Sequence, residues 1–388
     1  MPRSKPAKRT VDTVAAETVI VGGGIIGLSL AFELLARGQP VRVLLSEAHP
    51  GMATMTAAGM LAPVSEADVE HPDLVPLALD SLARYPAFVA RVEDVSGLAC
   101  GYRQEGLLWI GLHRDHRAEI DHLQTFMAER GLTAERLDAR SLRRLEPHLS
   151  PRVVTGCRVP GDHQVDPRAL RNALLVAIER LGGALQPEAH ACGAEVAHGR
   201  LSGLHIEHPD GTRSMLPCES AVLANGAWLG GEFEACLPDC GMRPVKGQVL
   251  RLRGAPLLQH VVRTPDVYLV PRADGRLIVG ASSEEMGFDT RATTGATYDL
   301  LRHAIDVLPE VAELELEEVS VGLRPATSDH LPVIGATQIS GLYLNGGHFR
   351  NGVLLAPGSA WHLAEALVTG TPGPMLAPFH PRRFEHPT

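Results

Sequence analysis

The sequence predicts an α/β fold, α+β overall, in which a parallel-sheet unit is interrupted by a second unit built on antiparallel strands. Three observations carry that prediction. Near the start of the chain a glycine-rich turn stands between a β-branched run and an apolar helix. Two later stretches, roughly 89 to 152 and 240 to 321, combine strand and hairpin patterns with charged amphipathic helices. The length of 388 residues exceeds what one hydrophobic core ordinarily organises.

The first unit is read in order. "ETVIVGG" is a short strand, "LSLAFELLAR" has apolar residues at helical spacing, Gly38 is its C-terminal stop, and "PVRVLL" is a second strand. Between first strand and helix, Gly22, Gly24 and Gly27 fit G-x-G-x-x-G. In that setting the glycines permit a tight turn, close approach of a pyrophosphate and close helix–strand packing, while N–H groups at the helix start face the anion. The unit is therefore Rossmann-like and dinucleotide-binding.

The acidic residue that such sites place after the second strand, against the adenosine ribose, is missing: its slot is Leu45. Ser46 or Glu47 takes the ribose contact instead, with a solvated loop charge the competing reading of Glu47. Farther on, "VDPRALRNALLVAIERLGG" reads as a helix with Asp166 as N-cap, Pro167 in its first turn and a Gly-Gly stop. "CESAVLANGAWLGG" reads as a buried strand running into small residues, a second backbone approach to the ligand. In the other unit, "YLVP" and "RLIVGA" flank "RADG" as a β-hairpin.

Composition excludes several classes. The formal net charge of −9 and the lack of a basic patch beyond the start of the chain argue against a nucleic-acid surface. "MPRSKPAKRT" is expected to be a disordered basic tail spanning 1–14, with no apolar run behind it to make a signal peptide. The run from 18 to 32 is too short and too glycine-rich for a membrane span. Six scattered cysteines suit reduced thiols in the cytoplasm; only Cys236 and Cys240 are close, and neither has histidine nearby at zinc-ligand spacing, so no metal is assigned. Lysine occurs only at Lys5, Lys8 and Lys246, which makes Lys246 conspicuous.

Two arginines raise the functional question. Arg324 follows an apolar alternation in "VSVGLRPAT", and Arg350 sits in "GGHFRNGVLLAPG", which is otherwise small or apolar. A buried charge without a partner costs several kcal/mol, so each is expected to meet either one of the protein's own carboxylates or an anionic ligand.

The chain resembles the D-amino-acid oxidase-like FAD flavoproteins, and among them the glycine oxidases of thiamine biosynthesis. The resemblance runs from about 17 to 378 and rests on "VIVGGGIIG", "TAAGML", "VDP", "VLANGAW", "PVKGQ", "YLVPR…GRLIVGA", "GLRPAT…LPVIG" and "GHFRNGVLLAP". It implies non-covalent FAD, since the cysteine that attaches flavin in some sarcosine oxidases would fall in "VGLRPATS" and no cysteine follows Cys240. It further implies that Ile25 and Ile26 cover the pyrophosphate, that Ala53, Thr54, Ala58, Gly59 and Met60 line the flavin, and that Cys192 lies near adenine. Residues His348, Phe349, Arg350, Asn351, Gly352, Val353 and Leu354 would run past the pyrimidine side of the ring. Arg324 is assigned to a substrate carboxylate, with Arg350 and Tyr268 beside it, although a lone strand tyrosine is as often a core or rim residue. Lys246 could add positive charge near the flavin or simply satisfy a strand edge.

The resemblance implies the reaction as well: oxidative deamination of glycine or an N-substituted glycine, with α-hydride passing to flavin N5, the imine hydrolysed to glyoxylate and amine, and dioxygen as acceptor. Orientation carries most of such a step, so no catalytic acid or base is nominated. The alternative is an FAD-dependent dehydrogenase of another small or N-carboxymethyl amino acid using a non-oxygen acceptor. "MATM" before "TAAGM" departs from the family's usual "RTTS", which leaves the substrate open. Homo-oligomers are a mild expectation from the family. The expected division is 15–88, 153–239 and 322–378 for the FAD-binding domain, 89–152 and 240–321 for the substrate domain, and 379–388 as a tail.

Overall fold

The computed structural model describes residues 17–46, 50–66 and 71–385, apart from the side chain of Arg114. The basic tail and Glu47 lie outside the described residues. A six-stranded sheet holds, in order, Val333–Ala336, Leu342–Gly346, Ala221–Leu223, Thr18–Val21, Val41–Leu44 and Ala184–Gln186. All pairings are parallel except that of the edge strand Val333–Ala336. Side chains alternate across it as the two-residue period requires. Ile20 and Val222 pack under the helices Ile25–Leu35, Leu74–Ser96, Pro167–Arg180 and Gly352–Thr369. Val19, Val21, Ala221 and Leu223 pack on the other face, against Leu201, Leu204 and Ile206 of a three-stranded antiparallel sheet.

The expected helix signals are met by specific bonds. Asp166 accepts from the N–H groups of Arg168 and Ala169 at 3.0 and 3.3 Å. Gly38 adopts φ 72° beyond the helix Ile25–Leu35, and its N–H bonds the Leu35 carbonyl.

An eight-stranded sheet forms the second layer, ordered Glu315–Ala326, Arg243–Arg253, Arg276–Gly280, Tyr268–Pro271, Val261–Arg263, Leu107–Gly111, Thr155–Val159 and Glu135–Asp138. It contains the expected hairpin Tyr268–Pro271 with Arg276–Gly280. One face packs Leu250, Leu269 and Val279 against the helix Thr294–Val307. The other carries Val249, Tyr268 and Ile278 towards Ala58 and Met60 of the first unit.

The strands shift two expected limits. Thr155–Val159 pairs with Leu107–Gly111 in this second sheet, and Glu315–Ala326 runs beside Arg243–Arg253 through its whole length. The change of unit expected at 322 thus falls inside a strand, because ladder pairing continues past the point where the sequence motif begins. The segment expected as a tail from 379 is anchored where it is described. Phe379 is buried, and Arg383 pairs with Asp329 at 2.8 Å.

Candidate active site

A cleft opens where the parallel strands end and the second sheet begins. At one end it is lined by Gly22, Gly24, Ile25 and Ile26. Gly22 has φ 121°, and a Cβ there would lie 2.5 Å from the Ala224 carbonyl oxygen, so both conformation and space demand glycine. Gly27 lies behind the wall, where a Cβ would meet the Gly22 carbonyl at 2.2 Å; its part is packing. Ile25 N–H donates to Thr54 Oγ1 at 3.0 Å, which ties the helix start to the neighbouring wall. The N–H groups of Gly24 and Ile26 have no partner among the described residues and face an anion-sized opening.

Beyond the second strand, Ser46, Ala189, His190 and Ala191 line the same cleft. Ser46 Oγ lies 3.1 Å from His190 Nδ1, and His190 Nε2 lies 3.2 Å from Glu232. Cys192, one residue farther along, is outside the lining and places its sulfur 3.6 Å from the His205 carbonyl. Burial raises the Cys192 thiol's pKa.

The middle of the cleft has two walls. Ala53, Thr54, Ala58, Gly59 and Met60 form one. Their backbone is held from behind by arginines. Arg168 donates to the Met55 carbonyl at 2.6 Å, Arg251 to Met55 and Thr56 at 2.9 and 3.3 Å, and Arg272 to Ala58. Burial pushes Arg251 and Arg272 down to about 10, with neighbouring arginines adding to the effect and Glu318 and Asp166 opposing it; both remain cations. With carbonyls pulled outward, the wall presents its small side chains to the cleft.

His348, Phe349, Arg350, Gly352 and Val353 form the opposite wall; Asn351 and Leu354 do not reach it. Asn351 is used locally, its N–H bonding the His348 carbonyl and its carbonyl accepting from Leu355, while Leu354 packs into the helical core. The N–H groups of Gly352 and Val353 have no partner among the described residues. His348 is 2 % exposed, and desolvation lowers its pKa to about 3, so the imidazole is neutral. Pro357 cannot donate to the Val353 carbonyl; the Tyr85 hydroxyl does so instead, at 2.5 Å. Ser81 accepts from Gly358 N–H at 2.9 Å and donates to the Leu354 carbonyl at 2.6 Å, bridging the next turn.

At the far end Arg324, Tyr268 and Arg350 meet. Arg324 donates to the carbonyls of Ser282 and Lys246 at 3.1 and 3.4 Å, and Tyr268 faces it as a hydroxyl partner. Among the described residues Arg324 has no carboxylate in ion-pair reach, and neither does Arg350, which lies over the Phe349 ring at 5.1 Å. Glu66, the carboxylate of this region, pairs with Arg263. Close approach is built in: a Cβ on Gly247 would sit 2.5 Å from the Arg324 guanidinium. Lys246 points the other way. It is 0 % exposed, 3.4 Å from Asp289 and outside the lining, because alternation puts it on the face opposite Gly247.

The cleft also includes Asn225, Trp228, Glu232 and Asn345, which sequence reasoning did not single out. "ANGAW" marked the first two as a close approach without assigning side chains; nothing in the sequence marks Asn345. Two helix starts with free N–H groups, a glycine turn and buried polar atoms of Asn225, Asn345 and His348 without partners fit an extended, polar, anionic cofactor.

Comparison with known proteins agrees. The family described as FAD dependent oxidoreductase matches residues 17–366. The bifunctional protein ThiO/ThiG of Trichormus variabilis is 34% identical over 95% of this chain and 55% of its own length, so the chain spans about half of that relative. Glycine oxidase of Geobacillus kaustophilus is 32% identical over 94% of this chain and 96% of its own. Among solved structures, glycine oxidase from Bacillus cereus superposes with a TM-score of 0.85 at 28% identity, covering 94% of this chain and 98% of that one. Iminodiacetate oxidase from Chelativorans does so at 0.83 and 28%, with the same coverage.

Proposed function

The chain belongs to the FAD dependent oxidoreductase family, and we propose that it oxidises glycine or an N-substituted glycine, releasing glyoxylate and the parent amine. The observation that carries this reading is Arg324: a half-buried guanidinium with no carboxylate of its own among the described residues, beside Tyr268 at the end of the cleft. A planar fork of donors in that position suits a substrate carboxylate bound by two hydrogen bonds.

FAD, held without a covalent bond, would supply a two-electron acceptor for the substrate's α-hydride, and dioxygen would take those electrons from it with formation of hydrogen peroxide. The residues contribute placement. Arg324 and Tyr268 fix the carboxylate, which leaves the α-carbon and amine directed along the cleft towards the wall of Ala58, Gly59 and Met60. Arg350, at the exposed rim, attracts the anion and shares its charge. Among the described residues no side chain is placed to take a proton from the α-carbon: Glu66 is held by Arg263, and His348 lies on the opposite wall. The amine enters neutral, its nitrogen lone pair forms the C=N bond as the C–H bond breaks, and water hydrolyses the imine outside the enzyme's direct control. The neutral His348 and the free N–H groups of Gly352 and Val353 suit a wall where negative charge accumulates.

The test is anaerobic mixing of the FAD-loaded protein with glycine, sarcosine and a bulkier N-carboxymethyl amine. Bleaching of the flavin absorbance by one of them supports the reading and names the substrate. No bleaching by any of the three overturns it. Readmission of oxygen then reports on the acceptor: return of the yellow colour with peroxide supports an oxidase.

A further inference from the structure

Two primary amides end neighbouring strands of the cleft wall, and neither is satisfied by the protein. Asn225 follows Ala221–Leu223 and Asn345 lies in Leu342–Gly346; these strands pair in parallel, with Leu223 opposite Leu344. Asn345 is 1 % exposed, lines the cleft, and both its Oδ1 and Nδ2 lack a partner. Asn225 donates Nδ2 to Glu232 at 2.9 Å, and its Oδ1 is buried without a partner. Because a carboxylate only accepts, that bond sets the Asn225 amide with nitrogen towards Glu232 and its oxygen left over.

The leftover atoms are two acceptors and one amide donor. A phosphate offers acceptors only: it would serve Asn345 Nδ2 and repel both oxygens. Hydroxyl groups donate and accept, and can satisfy all three. Position narrows the choice further. Ala224, beside Asn225, touches the glycine turn at Gly22, and Asn345 stands three residues before His348 on the opposite wall. The wall between them spans from the anion-binding turn to the segment expected beside the flavin ring, and in FAD the group that joins pyrophosphate to ring is the hydroxyl-bearing ribityl chain.

We propose that Asn345 and Asn225 form a hydroxyl-recognition pair for the ribityl chain of FAD. This rests on FAD as cofactor and not on which amine is oxidised, so its test reads binding alone. The full-length protein is stripped of flavin and reloaded with FAD or with FAD analogues lacking one ribityl hydroxyl, and dissociation constants are measured by flavin fluorescence. Asn345→Ala should weaken FAD about tenfold. At least one deoxy analogue should bind the native protein about tenfold more weakly than FAD, yet bind Asn345→Ala no more weakly than FAD does.

A second readout covers a poorly folding alanine variant: Asn345→Leu should unfold at a higher temperature than the native protein when both are flavin-free, and gain less from added FAD. Unchanged FAD affinity in Asn345→Ala, or additive losses with every deoxy analogue, would overturn the proposal. A flavin-free Asn345→Leu no more stable than the native protein, with an undiminished gain from FAD, would do the same.

Discussion

Single residues carry the sharpest consequences here. Arg324 donates to two carbonyls and is left without an anion among the described residues, so replacing it with methionine removes the carboxylate fork together with those two bonds. Arg324→Met should raise KM for any carboxylate substrate roughly 10- to 100-fold, the worth of a charge-assisted pair of bonds, with flavin content unchanged. An equal loss of bound FAD would make the residue structural. His348 gives a pH signature. Its pKa falls from 6.5 to about 3 through desolvation, so the native imidazole stays neutral while the unfolded one takes up a proton. The stability this group contributes is full above pH 6.5 and is lost as pH falls towards 3. In thermal melts between pH 7 and 4 the native protein should therefore lose more stability on acidification than His348→Gln; parallel curves would contradict the assignment.

At the scale of elements, the helix Gly352–Thr369 shows how a site is aimed. Pro357 opens its first turns, and Leu74–Ser96 supplies the missing bonds through Tyr85 and Ser81. Gly358 is needed for this approach, since a Cβ there would lie 2.7 Å from Ser81 Cβ. Tyr85→Phe leaves the Val353 carbonyl buried without a donor and should cost about 1–3 kcal/mol by denaturant unfolding. Flavin affinity should fall as well, because Gly352 and Val353 present their N–H groups from that turn. The same logic governs Gly22. Gly22→Ala must push a methyl group into the Ala224 carbonyl at φ 121° and should abolish FAD retention on purification.

For the whole molecule, the cleft is the seam between two sheets, and FAD bound there would bridge it. Binding to the native state alone adds stability as RT ln(1 + [L]/Kd), about 2.7 kcal/mol at a hundredfold excess over Kd. The melting temperature should therefore climb steadily with free FAD. A melting temperature independent of FAD would mean that FAD does not bind the native state in preference to the unfolded chain.

The sequence alone determined the first unit: the glycine turn, the helix it opens and the Asp166 cap are local, set by spacing, φ preference and hydrogen bonds between neighbours in the chain. It also exposed Arg324 and Arg350 as charges out of place, since an arginine in an apolar run is anomalous wherever it folds. Tertiary structure decided what they meet. Whether a guanidinium finds a carboxylate depends on which strands come together, and Glu66 was taken by Arg263 from more than a hundred residues away. The same holds for Asn345, which no pattern marks, for Asn225, whose side chain the sequence left without a role, and for Lys246, whose prominence in composition ended in a buried pair with Asp289. Local rules act between residues close in sequence; burial and pairing act between residues close in space, and only the packed chain brings those together.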